Sequence, residues 1–130
     1  MSYQHAIVWI DSLHATVIDF SVDDRHVARV EREGGPQRIH TRSGLPGDGK
    51  APNDPKFFEA VAEALGDARE VLLAGPGQAK LTFRREMERR HPDIALHIVG
   101  VESLDHPSNA ELLAFARRYF KRYDALHGNR

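Results

Sequence analysis

Glu70-Val71-Leu72-Leu73-Ala74-Gly75-Pro76-Gly77-Gln78-Ala79-Lys80 changes character at its midpoint. Val71 to Ala74 are an unbroken apolar run too short for a helix, the pattern of a strand covered on both faces. Gly75-Pro76-Gly77-Gln78 closes the run with turn-forming residues. Beyond it Ala79, Phe83 and Met87 recur four apart on one face, so a helix is expected from about Ala79 to Arg90, halted before Pro92. A doubly covered strand running into such a helix is a building unit of an α/β fold.

Upstream, Ala6-Ile7-Val8-Trp9-Ile10, Ala15-Thr16-Val17-Ile18-Asp19-Phe20 and His26-Val27-Ala28-Arg29-Val30-Glu31-Arg32 read as three strands. The turns between them, at residues 11–14 and 21–24, are short enough for an antiparallel meander. His26, Ala28 and Val30 share one face of the third strand, and Trp9 is expected to be buried with its indole N–H bonded. Asp54-Pro55 is a cap followed by proline at the first helical position, and Phe57, Phe58, Val61, Ala62 and Leu65 then keep helical spacing as far as Gly66. Ile94 to Val101 is a further strand candidate. Ser108-Asn109-Ala110-Glu111 is a capping box opening a last helix, which presents Leu112, Phe115, Ala116, Tyr119 and Tyr123.

The expected order is βββ-α-β-α-β-α. It predicts one α/β domain over residues 1–130 with a mixed five-stranded sheet ordered 3-2-1-4-5, the fourth strand beside the first. Its helices fall near residues 54–66, 79–90 and 108–123. A chain of 130 residues is one domain's worth, and 41% hydrophobic with 28% charged residues excludes both disorder and a membrane span. Without cysteine there is no disulfide, zinc thiolate or cysteine nucleophile. Met1 to His5 lack the basic-then-apolar order of a secretion signal, so a cytoplasmic location is expected.

The formal charge of -1, from 18 basic against 19 acidic residues, excludes a histone-like coat but not a basic face. Lys80, Arg84, Arg85, Arg89 and Arg90 crowd one predicted helix, with Glu86 and Glu88 among them. Arg117, Arg118, Lys121 and Arg122 crowd the last helix. Arg85 and Arg89 lie four apart, as do Arg118 and Arg122, so each pair shares a helix face suited to phosphate. The candidate RNA- or phosphate-binding residues are Lys80, Arg84, Arg85, Arg89, Arg118 and Arg122, with Lys80 reinforcing an anion at the start of its helix. A solvated charged surface is the competing reading.

Residues 39–53 carry three glycines and two prolines with no periodicity. A loop of that length inside a compact domain is usually functional or disordered. It is read as a mobile functional loop through His40, Arg42, Gly44, Gly47, Gly49 and Lys50. A catalytic constellation is harder to assemble. Asp11, Asp19, Asp23 and Asp24 bring to mind two-metal nuclease chemistry, yet Asp11 and Asp24 fall in turns. His91-Pro92-Asp93 and Asp105-His106 read as caps and loop polars, and Glu88 with His91 has ligand-like spacing without a second pair. No catalytic residue, metal site or cofactor is assigned.

The stretch from Glu70 to Lys80, with Phe83 and Arg84-Arg85 behind it, resembles the middle domain of the archaeal and eukaryotic peptide-chain release factor family. Ile98-Val99-Gly100-Val101-Glu102-Ser103-Leu104-Asp105-His106-Pro107-Ser108 and Ala114-Phe115-Ala116-Arg117-Arg118-Tyr119-Phe120 resemble its small bacterial members, the translational machinery proteins. The resemblance covers roughly residues 5 to 123 and implies a ribonuclease-H-like fold with the ribosome or structured RNA as partner. In full release factors the loop between the third strand and first helix carries a Gly-Gly-Gln tip that promotes peptidyl-tRNA hydrolysis. Here Ser43-Gly44-Leu45-Pro46-Gly47-Asp48-Gly49-Lys50 stands in that place. Gly34-Gly35-Pro36-Gln37 is interrupted by proline, and Gln78 follows the wrong strand. Release activity is therefore not carried over. The expectation is a noncatalytic ribosome- or RNA-associated factor. Its alternatives are a small metal-dependent nuclease or other hydrolase, and a homodimeric interaction domain sealed by Phe115, Tyr119 and Tyr123.

Overall fold

The computed structural model describes residues 3–32 and 55–127. Strands β1 (His5–Ile10), β2 (His14–Phe20) and β3 (Arg25–Glu31) form the meander. Helix α1 (Pro55–Leu65), strand β4 (Glu70–Gly75) and helix α2 (Ala79–Arg90) follow. Helix α3 (Pro92–His97), strand β5 (Ile98–Ser103) and helix α4 (Asn109–His127) complete the chain. The sheet order is β3-β2-β1-β4-β5, as expected. β1 pairs antiparallel with β2 and parallel with β4, while β4 and β5 are parallel.

Strand alternation sorts the core into two layers. Ala6, Val8 and Ile10 of β1, Val17 of β2 and Leu73 of β4 pack against Phe57, Phe58, Val61 and Leu65 of α1 and Phe83 and Met87 of α2. Ile7, Trp9, Ile18, Phe20 and Leu72 turn the other way, against Leu112, Ala116 and Phe120 of α4. Trp9 is buried, and its indole N–H donates to the carbonyls of Leu104 and Asp105 at 3.3 and 2.9 Å. Ala28 and Val30 are half-buried while their β3 neighbours are exposed, so the third strand shows the expected alternation.

Two boundaries follow from local chemistry. Ser108 Oγ accepts from the N–H of Glu111 at 3.1 Å and Glu111 returns the bond to the N–H of Ser108 at 2.8 Å, the reciprocal capping box that starts α4. Gly75 has φ 151°, and a Cβ there would collide with the carbonyl oxygen of Ile10, so glycine is what lets β4 turn away beside β1.

One element departs from expectation. The strand read over Ile94 to Val101 begins only at Ile98, and residues 92–97 are helical. Pro92 occupies a first helical position and the N–H groups of Ile94 and Ala95 bond to the carbonyl of His91. The helical turn places Ile94 and Ala95 against the core and leaves Leu96 82% exposed. A short apolar run does not distinguish the two conformations by periodicity.

Candidate nucleic-acid interface

The basic residues of α2 are largely answered by acids of the same layer. Glu86, a buried carboxylate, accepts from Arg89 Nη1 at 3.1 Å and from Arg90 Nε at 2.7 Å. Arg90 also approaches Glu59 of α1 at 3.8 Å, and Arg84 lies 3.6 Å from Glu88. Such pairs add little stability at a surface, but they lower the local positive potential. Arg85 is exposed and has no ion-pair partner among the described residues.

Lys80, read as reinforcing an anion at the start of α2, is set into the turn itself. It is only 6% exposed, and its Nζ donates back to the carbonyl of Gly77, closing the turn that precedes α2. The turn supplies this acceptor because the Gly77 carbonyl lies three residues before Lys80, within reach of its side chain. One of the three ammonium donors is thereby committed to turn geometry.

On α4 the arrangement differs. Arg117 is a packing residue: its Nη1 donates to the carbonyls of Ser21 and Val22 at 2.7 and 2.9 Å, and its guanidinium lies 5.3 Å from the centre of the Phe20 ring. Arg118, Lys121 and Arg122 are exposed, with no ion-pair partner among the described residues. Their spacing of three and four sets them in one stripe along the outside of the helix.

The two basic groups are not brought together. α2 packs on one face of the sheet and α4 on the other, so the β-layer separates them. His40, Arg42, Gly44, Gly47, Gly49 and Lys50, and the expectation of a mobile loop that rests on them, lie outside the described residues.

The carboxylates weighed for nuclease chemistry do not converge either. Asp11 Oδ1 accepts from the N–H groups of Leu13 and His14, both at 2.9 Å, and shapes the β1–β2 turn. Asp23 and Asp24 lie at the opposite end of that hairpin, where Asp24 accepts from the Tyr3 hydroxyl at 3.0 Å. Asp19 is buried and lines a cavity of about 340 Å³ with Tyr3, His26, Leu65, Gly66, Asp67 and Ala68. Burial pushes its carboxyl up to about 6. His91 bonds Glu59 at 2.9 Å, and Glu88 faces Arg84, so their shared spacing builds no site.

A cluster that sequence reading missed lies at the start of β1. His5 Nε2 is 3.0 Å from Glu70 Oε1 and 3.2 Å from Asp124 Oδ2. Burial, then the hydrogen bond and charge of Asp124, push Glu70 up to about 7, while burial pulls the His5 imidazole down against the charge and hydrogen bond of Asp124. The residues stand far apart in the chain, and no motif links them. The available signal was the predicted pairing of the fourth strand with the first, which sets His5 opposite Glu70.

No protein-family model matches the chain, and no curated protein sequence matches it. Solved structures do. Pelota from Archaeoglobus fulgidus is similar with a TM-score of 0.62 at 16% identity, over 91% of this chain and 32% of that one. The archaeal translation termination factor aRF1 follows with a TM-score of 0.55 at 17% identity, over 95% and 39%. Dom34 of Saccharomyces cerevisiae, a translation termination-like factor involved in RNA quality control, gives 0.51 at 13% identity, over 85% and 31%. The fold is therefore the one these release-factor-like proteins contain, with the mixed-sheet, ribonuclease-H-like topology expected. The chain spans about a third of their length.

Proposed function

We propose that this protein is a noncatalytic ribosome- or RNA-associated factor of translation, acting in the cytoplasm. In this reading a modified loop, residues 39–53, stands in place of a Gly-Gly-Gln tip. The observation that carries it is the fold shared over 85–95% of the chain with Pelota, with the translation termination factor aRF1 and with Dom34, a termination-like factor involved in RNA quality control. The docking face is the α4 stripe of Arg118, Lys121 and Arg122, with Arg85 as a second, separate contact. Arg84 and Arg89 share their charge with Glu88 and Glu86 and contribute less. Guanidinium groups on one helical stripe suit phosphate oxygens without reading sequence.

Co-sedimentation with ribosomes across a salt series tests this. The wild type is expected to pellet with ribosomes at low salt and to release as salt rises, because phosphate contacts displace counterions. Absence of binding to ribosomes and to structured RNA overturns the reading. Metal-dependent cleavage of RNA would instead favour the hydrolase alternative, and a stable dimer without RNA affinity would favour the interaction domain.

A further inference from the structure

The structure assigns a divalent-metal site, suited to Zn²⁺, to His5 of β1, Glu70 of β4 and Asp124 of α4. Its three candidate ligand atoms all lie within 4.8 Å of one another. The inference is independent of ribosome binding.

The donor chemistry is coherent. Zn²⁺ takes imidazole nitrogen and carboxylate oxygen at about 2.0–2.2 Å, so the edges of its tetrahedron are roughly 3.3–3.5 Å. His5 Nε2 stands 3.0 and 3.2 Å from its two carboxylate oxygens. The two edges at His5 need open by only a few tenths of an ångström, and with the two carboxylate oxygens within 4.8 Å of each other a small side-chain adjustment makes the three atoms one face of such a tetrahedron. The fourth position is left for water. Two carboxylates aimed at one imidazole nitrogen in a half-buried recess also concentrate negative charge that a cation offsets.

The ligands are held in place before any metal arrives. The His5 ring stacks on Phe20 at 5.6 Å and lies 4.5 Å from Phe120, which fixes the plane of the imidazole. Phe120 and Asp124 are one turn apart on α4, so the packing that orients the histidine also delivers the second carboxylate. Glu70 faces His5 across the parallel β1–β4 pairing, and its backbone N–H, like that of Arg69, donates to the carbonyl of Gln4 at 3.0 Å. A bound ion would join the second half of α4 to two central strands, below the stripe that carries Arg118 and Arg122.

Titration calorimetry of the full chain with Zn²⁺ alone is the test, read beside a long-range ¹⁵N–¹H spectrum of its eight histidines. One Zn²⁺ per chain is expected, with a raised melting temperature reversed by a chelator and a selective shift at His5 Nε2. Outer-shell changes at zinc sites cost about 10–100-fold in affinity, so His5→Gln and Asp124→Asn should each lower it by more than tenfold. His106→Gln, near Asp11 and Asp105, should leave it unchanged. The spectrum is read on the wild type, so a variant that fails to fold does not remove the test. Absence of a shift at His5, or full affinity in folded His5→Gln, would overturn the assignment and leave a proton-sharing cluster.

Discussion

Helices α2 and α4 look alike in the sequence, each carrying four or five basic residues along one amphipathic segment, yet they end with different surfaces. On α2 the buried carboxylate of Glu86 gathers Arg89 and Arg90, Glu88 meets Arg84, and Lys80 folds back on its own turn. On α4 Arg117 is drawn inward to the β2–β3 turn, which leaves Arg118, Lys121 and Arg122 facing solvent. Counting basic residues therefore overstates α2 more than α4, where Arg117 alone is withdrawn. What separates them is where the neighbouring acids and carbonyls fall once the layers pack.

The strongest test of the two layers concerns their anchors. Phe83, fully buried against Phe58 at 5.6 Å, should cost about 3–5 kcal/mol as Phe83→Ala in a denaturant melt. Phe120→Ala should fall in the same range if α4 is held as firmly. A loss below about 1 kcal/mol there would show that Arg117 and its carbonyl acceptors do most of the holding.

Asp19 offers a smaller effect, on the α1–α2 side alone. Its carboxyl titrates near 3.8 when unfolded and near 6 when folded, so the folded chain holds the proton longer. Stability is then greatest below the unfolded value, declines as pH rises toward 6 and stays low above it. Asp19→Asn should flatten that decline and raise stability at neutral pH by on the order of 2 kcal/mol. Equal pH profiles for the two proteins in thermal melts would remove Asp19 from the account.

Binding sharpens the comparison further. Arg118→Ala and Arg122→Ala should each reduce the salt dependence of ribosome affinity by about one unit, and Arg89→Ala by clearly less. Equal reductions at all three would show that Glu86 does not compete for its arginines. The smallest effect is expected for the stability of Arg84→Ala, within roughly 0.5 kcal/mol in the same melts, because its pair with Glu88 is exposed.

Most of the architecture was legible because each element carried its own signal. The apolar runs of β1, β2 and β4 are too short for helices, the capping box marks α4, and Gly66, with φ 63°, ends α1 where expected. The short helix α3 was not legible from periodicity, although Pro92 at its start was a usable cue. Phe120, buried on α4, also escaped the predicted apolar face, since Leu112, Phe115, Ala116, Tyr119 and Tyr123 already filled a helical spacing around it.

The sequence by itself determined the strands of the meander and β4, the starts of α1, α2 and α4 and the places where basic residues crowd, because these depend on neighbours within a turn or two, and the sheet order followed from the succession of those elements. Only the tertiary structure decided which charges remain available. Salt bridges and carbonyl contacts form between elements, and the sheet sets α2 and α4 on opposite faces whatever their local sequence. The same holds for His5, Glu70 and Asp124. Their meeting depends on strand register and on the packing of α4, and distance along the chain carries no trace of it.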